Sequence, residues 1–129
     1  MTLAWQILWV AIGGALGAVS RFLLSGAINQ RLSDTYIPIG TLAVNVIGSA
    51  IMALCYVVLV EQKLLDEVYK PLLMTGFLGA FTTFSTFSME TVLLLQQQAI
   101  GAALLYVLAN VCVSILAFSA VLYFMRLVN

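Results

Sequence analysis

Apolar residues fill this chain in four long blocks, each closed by a short polar connector. No charged residue occurs from Met1 to Val19, from Thr35 to Val60, from Pro71 to Met89 or from Thr91 to Met125. About 20 apolar residues, rising about 1.5 Å each, cross the hydrocarbon core of a bilayer. The pattern predicts four transmembrane helices over about residues 3–28, 37–60, 71–96 and 99–126, forming one transmembrane domain across residues 1–129. The connector Asn29 to Tyr36 is polar, Glu61 to Lys70 carries five charges, and Gln96 to Gln98 makes a short uncharged turn. Pro71 suits the first turn of the third helix, where its missing N–H costs nothing.

Composition supports this division. The chain is 64% hydrophobic and 8% charged, with a mean hydropathy of +1.14, whereas soluble domains are about a quarter charged. The fold class expected is an all-α membrane protein. The first block lacks a basic leader, so a cleaved signal peptide is not expected despite the small residues of Ala15-Leu-Gly-Ala18. Cys55 and Cys112 fall in different spans and are expected to be small buried hydrophobes. Histidine is absent, which removes the commonest general base and metal ligand. Zero net charge with five basic residues excludes a nucleic-acid-binding patch. Little is left for enzymatic chemistry.

Charge placement bears on orientation. Lys63, Lys70 and Arg126 fall on one side of the membrane, Arg31 and the inset Arg21 on the other. Topology follows the Lys/Arg imbalance between short loops, and three against two is nearly none. Insertion both ways round and one weakly favoured orientation are both compatible with this count. Four helices leave little room for a polar pathway and its shielding, and coexisting orientations would close as an antiparallel two-fold dimer. Gly13 and Gly17 form a small-xxx-small pair that permits close helix approach.

The third block is the least lipid-like. Thr75 to Thr91 holds seven hydroxyl residues, two glycines, four phenylalanines and one carboxyl, and lipid penalises polar groups without partners. Thr41, Asn45 and Ser49 in the second block, and Tyr106, Asn110 and Ser114 in the fourth, recur at i, i+4, i+8 and so form stripes. In the third, Phe84 shares a face with Phe87, and Thr83 with Glu90. Interhelical hydrogen bonding explains any single such residue, at about 0.6 kcal/mol each; it does not require so many within a dozen positions. The stripe is rich in neutral donors: the amides of Asn45 and Asn110, and the hydroxyls of Thr83, Ser85, Thr86, Ser88, Tyr106 and Ser114. Ring edges of Phe84 and Phe87 are positive. Such a lining suits a small anion that must shed water without being trapped by a full charge. Arg21 would gather anions at a mouth or simply snorkel to the interface. Glycine and threonine crowd residues 76–83, where a break in the helix would free carbonyls able to coordinate Na⁺.

These residues also carry a resemblance. Gly76-Phe-Leu-Gly-Ala-Phe-Thr-Thr-Phe-Ser-Thr-Phe-Ser-Met-Glu90 closely resembles the third-helix signature of the Fluc (CrcB) fluoride channels. Gly13-Gly-Ala-Leu-Gly-Ala-Val-Ser-Arg-Phe22 and Gly40-Thr-Leu-Ala-Val-Asn-Val-Ile-Gly-Ser49 are similar to its first- and second-helix signatures. The resemblance implies a dual-topology antiparallel homodimer in the bacterial inner membrane, with two fluoride pathways and one central Na⁺. It implies that Phe84 and Phe87 line the pore with Asn45, that Arg21 is the vestibule arginine, and that the backbone carbonyls of Gly79 and Thr82 hold the Na⁺. Ser85, Thr86, Ser88, Glu90 and Thr91 would form the polar track beyond the phenylalanines, and Tyr106 and Ser114 match a looser fourth-helix pattern. Asn110 stands where relatives carry hydroxyls, and Ala80 replaces a common glycine. The rival class, small proton-coupled multidrug exporters, relies on a first-helix glutamate that this chain lacks. A non-transporting assembly subunit is the bland structural alternative.

Overall fold

The computed structural model describes residues 1–128. Four stretches are long and apolar enough to cross a membrane: Leu3–Arg31, Ile39–Glu61, Lys70–Gln96 and Ile100–Val128. We label Leu3–Arg31 α1, Ile39–Glu61 α2 and Ile100–Val128 α5. The third stretch is divided into α3 (residues 70–81) and α4 (Phe84–Gln96). No strand occurs among the described residues. The chain is an all-helical, multi-pass membrane protein.

The ends of these helices have local causes. Pro38 precedes α2 and holds Ile37 out of the helical region, so α2 starts two residues later than the hydropathy pattern predicts. α1 runs on to Arg31, where the Leu32 N–H closes the last turn on the Ile28 carbonyl at 3.0 Å. Between α4 and α5, Gln98 takes φ 58°. The Ala99 and Gln98 N–H groups donate to the Leu94 and Leu95 carbonyls, both at 3.0 Å. That paired bonding is a Schellman cap, formed here with glutamine where glycine is usual. Pro71 sits in the first turn of α3 as expected.

Packing is polarised between a few tight seams and a broad lipid face. On α1 the only buried residues are Gly13 and Gly17. A Cβ added at Gly13 would overlap the Leu72 carbonyl, and one at Gly17 the Phe77 carbonyl. A Cβ at Gly76 would meet the Val10 carbonyl and the Gly13 Cα. The small-xxx-small pair thus brings α1 against α3 within one chain. Leu3, Trp5, Ile7, Leu16, Phe22 and Leu23 face outward on the same helix, which lipid accepts where water would not.

α2 packs along the carboxyl half of α5, and α4 along its amino half. Phe87, Leu94, Ala103 and Tyr106 form a buried cluster between α4 and α5. At the membrane edge Glu61 on α2 pairs with Arg126 on α5. One expectation is corrected: Cys112 is exposed on the outer face of α5 and Cys55 is half-buried, both as free thiols. Only glycines and polar stripes mark the inner faces here, so an apolar residue in this chain carries little information about burial.

Candidate functional site

The third span is interrupted at Thr82 and Thr83, whose φ/ψ of −82/159° and −151/124° are extended. In a continuous helix the Thr83 N–H would donate to the Gly79 carbonyl and the Thr86 N–H to the Thr82 carbonyl. Both donors are diverted to side chains. Thr83 N–H donates to Asn45 Oδ1 at 2.8 Å, and Thr86 N–H to Thr83 Oγ1 at 3.2 Å. Thr83 is therefore the N-cap of α4, a position that favours a hydroxyl. Its Oγ1 also donates to Thr86 Oγ1 at 3.0 Å and lies 3.4 Å from Ser85 Oγ.

Asn45 pairs with both main-chain groups of Thr83. While its Oδ1 accepts the N–H, its Nδ2 donates to the Thr83 carbonyl at 3.1 Å. The second Nδ2 bond goes to Asn110 Oδ1 at 2.9 Å. Asn110 Nδ2 donates in turn to the Tyr106 carbonyl at 3.1 Å. Each bond is worth about 0.5–1.5 kcal/mol net, and an orphaned buried group costs more. A side-chain amide thus does for the break what a neighbouring strand does for a strand edge. Asn110 lies within a π-wound turn, Ala109–Val113, a distortion often found at functional sites.

Beside the break is an open cavity of about 360 Å³ lined by Asn45, Gly48, Ser49, Thr82, Thr83, Phe84, Phe87, Asn110 and Ser114, with Met52, Val111, Ile115 and Phe118 as its apolar part. No ionisable side chain lines it. The Phe84 and Phe87 rings stand 5.4 Å apart at 58°. Phe87 is buried, whereas Phe84 is 77% exposed on the surface of the single chain. The Ser114 hydroxyl is buried without a hydrogen-bond partner. Gly48 leaves room for this geometry, since a Cβ there would overlap the Thr82 side chain.

A second polar cluster adjoins the first through the Phe87 and Tyr106 rings, 5.5 Å apart. Glu90 Oε1 accepts from Thr41 Oγ1 at 3.0 Å, and Oε2 from the Tyr106 hydroxyl at 2.6 Å. Tyr106 is fully buried. This knot ties α2, α4 and α5 together with each carboxyl oxygen partnered.

The sequence-predicted residues fall into three sets. Asn45, Thr83, Phe84, Phe87, Asn110 and Ser114 meet at the cavity together with Thr82. Glu90 and Tyr106 meet in the adjoining knot. The rest, Ser49 excepted, lie outside the cavity. Ser88 Oγ donates to the Phe84 carbonyl at 2.9 Å, and Thr91 Oγ1 to the Phe87 carbonyl at 2.8 Å, so their hydroxyl hydrogens are used within α4. Ser49 does line the cavity, yet it donates back to the Asn45 carbonyl at 2.7 Å. Ser85 is exposed, and Thr86 closes the α4 cap. Arg21 is half-buried on α1 and does not line the cavity. Gly79 stands just before the break. The sequence alone does not assign Thr41 or Gly48 to the site. Thr41 lies one turn before Asn45 in the same stripe, a signal that does not by itself identify Glu90 as its partner.

Comparison with known proteins places this arrangement. Residues 8–122 match the family described as "CrcB-like protein, Camphor Resistance (CrcB)". The chain is 48% identical over 112 residues to a protein of Magnetococcus marinus named "Fluoride-specific ion channel FluC", covering 87% of this chain and 90% of that one. It is 50% identical over 113 residues to a protein of the same name from Saccharophagus degradans, covering 86% and 84%. A third, from Nitratiruptor sp., is 44% identical over 119 residues, covering 92% and 91%. A match over most of the chain, at this level of identity and with a helical membrane fold, shows that the protein belongs to the CrcB family.

Proposed function

We propose that this chain is a fluoride-selective passive ion channel that lets cytoplasmic fluoride leave across the inner membrane of a bacterium. One observation carries the reading: the break between α3 and α4 opens on a cavity lined by amides, hydroxyls and two phenylalanine rings, with no ionisable side chain. Neutral donors replace part of an anion's hydration, and a full positive charge would hold it too long for passage. The positive edges of the Phe84 and Phe87 rings add to that lining. The unpartnered Ser114 hydroxyl is a donor at the cavity wall. The names of the relatives support fluoride as the anion.

Hydrogen fluoride crosses bilayers as a neutral acid and ionises in a less acidic cytoplasm. A passive path then lets the anion leave along the membrane potential without coupling to an energy source. The Glu90 knot positions Tyr106 and Phe87, and with Ser85, Thr86, Ser88 and Thr91 it forms the polar track beyond the phenylalanines. Arg21 gathers anions at the vestibule.

The assembly that best accommodates these residues is an antiparallel homodimer with two pathways. Phe84 is exposed on the single chain, and a second copy would shield it from lipid while the pathway stayed polar. The backbone at the break fits a hard cation. Gly79 and Thr82 are the residues whose carbonyls lose their helical donors to Asn45 and Thr83, and such carbonyls suit Na⁺ where broken backbone is enclosed by protein. Bound there, Na⁺ would supply fixed positive charge between two facing breaks.

Fluoride efflux from liposomes carrying the purified protein tests the function, with chloride as control. Rapid fluoride release that requires valinomycin, with no chloride release, is expected. No fluoride release from well-folded protein would overturn the reading.

A further inference from the structure

The orientation of the Asn45 amide is dictated by its neighbours. Thr83 N–H can only donate, so the atom facing it must be oxygen; the Thr83 carbonyl can only accept, so it must face nitrogen. The remaining Nδ2 hydrogen requires an acceptor in the interior, and Asn110 Oδ1 is that acceptor at 2.9 Å. Asn110 cannot turn its amide over without penalty, because its own Nδ2 donates to the Tyr106 carbonyl. Donation therefore runs in one sense from Asn45 through Asn110 to the Tyr106 carbonyl, with Asn45 paired to both main-chain groups of Thr83. Asn110 is the buried member that joins α5 to this chain, with 5% of its surface exposed. The π turn around it supports the same role. In that winding backbone bonds shift to i−5, and the Asn110 side chain reaches the Tyr106 carbonyl at i−4.

We propose that Asn110 is a positioning residue for anion passage: it acts through Asn45, fixing the amide that holds Thr83 in its extended conformation. Loss of the Asn110 acceptor frees one Asn45 hydrogen and lets the amide rotate away from Thr83. The break then loses its latch, and the cavity wall loses its shape. For its conduction readout this inference rests on the fluoride-channel reading above; for its spectroscopic readout it does not.

The test uses two variants. Asn110→Leu keeps the branching and the number of side-chain heavy atoms but neither donates nor accepts, and Asn110→Ala, which removes the same groups without added bulk, replaces it if the leucine form does not fold. With ¹⁵N-asparagine labelling, the four asparagines of the chain give few side-chain signals, and Asn45 is assigned by its loss in Asn45→Leu. In the unaltered protein the Asn45 Nδ2 hydrogens are expected to exchange slowly with solvent. In the Asn110 variant they exchange roughly tenfold faster or more, as a hydrogen-bonded pair released to solvent does. Fluoride flux falls by about three- to tenfold, the equivalent of one hydrogen bond. Asn110→Leu combined with Asn45→Leu conducts no worse than Asn45→Leu alone, because both changes release the same latch. Unchanged Asn45 exchange overturns the proposal, and so does a double variant whose losses multiply, which would make Asn110 an independent contact of the anion. If the unaltered protein passes no fluoride, the channel reading fails, and the exchange measurement still decides whether Asn110 orders Asn45.

Discussion

The two halves of the third span use opposite means to remain in the membrane. α3 meets α1 along glycines, with backbone against backbone and no space for a Cβ at Gly13, Gly17 or Gly76. α4 begins with a diverted N–H and a threonine cap, and it faces α2 and α5 through amides, hydroxyls and a carboxyl. The first half is held by shape, the second by directed polar bonds. The comparison separates two meanings of a non-apolar residue in a membrane helix. A glycine marks where another backbone must approach, whereas a stripe of amides and hydroxyls marks where the backbone or a passing ion must be served.

Substitution on the glycine side should have the largest effect. Gly17→Val drives side-chain carbon into the Phe77 carbonyl, and backbone cannot yield as a side-chain end can. Overpacking of this kind costs about 1–3 kcal/mol, so a lowered thermal midpoint and loss of the monodisperse species in detergent are expected. Gly14→Ala, on the same helix with open space around it, should leave both unchanged. On the polar side, Asn45→Leu leaves the Thr83 N–H and the Asn110 carbonyl oxygen without partners, at about 1–3 kcal/mol. Fluoride flux should fall by on the order of tenfold or more, since about 1.4 kcal/mol is one decade in rate. Glu90→Gln should be milder. The glutamine keeps one acceptor, so either Thr41 or Tyr106 must turn its hydroxyl from the new amide nitrogen, at about 1 kcal/mol. Thermal unfolding would show a small loss with the helical spectrum intact; an unchanged midpoint would mean that the Glu90 knot does not bear on stability.

Much of this is legible in the residues. Four charge-free blocks mark the spans, and the crowded Thr75–Thr91 segment marks the unusual helix, because polar side chains persist in a membrane only where protein or a polar path receives them. The stripe spacings are informative too: Asn45, Asn110 and Ser114 do converge on one cavity. Three features are not readable. Periodicity says which residues share a face but not what lies opposite, so the Asn45–Thr83 pairing across 38 positions does not follow from it. Hydroxyls that look available in sequence, such as those of Ser49, Ser88 and Thr91, turn back on carbonyls four residues earlier. The seam of Gly13 and Gly17 could as well have faced another copy, because close approach is the same requirement within a chain and between chains.

The central claim is that anions pass beside the phenylalanine pair at the break. The direct measurement is fluoride efflux from liposomes with Phe84→Ile and Phe87→Ile, separately, beside the unaltered protein and after folding of each variant is verified by thermal unfolding. Isoleucine keeps apolar bulk at the cavity but removes the positive ring edges. Well-folded variants with fluoride flux abolished or cut at least roughly tenfold, a barrier change of about 1.4 kcal/mol, are expected. Normal fluoride flux through both variants would contradict the claim.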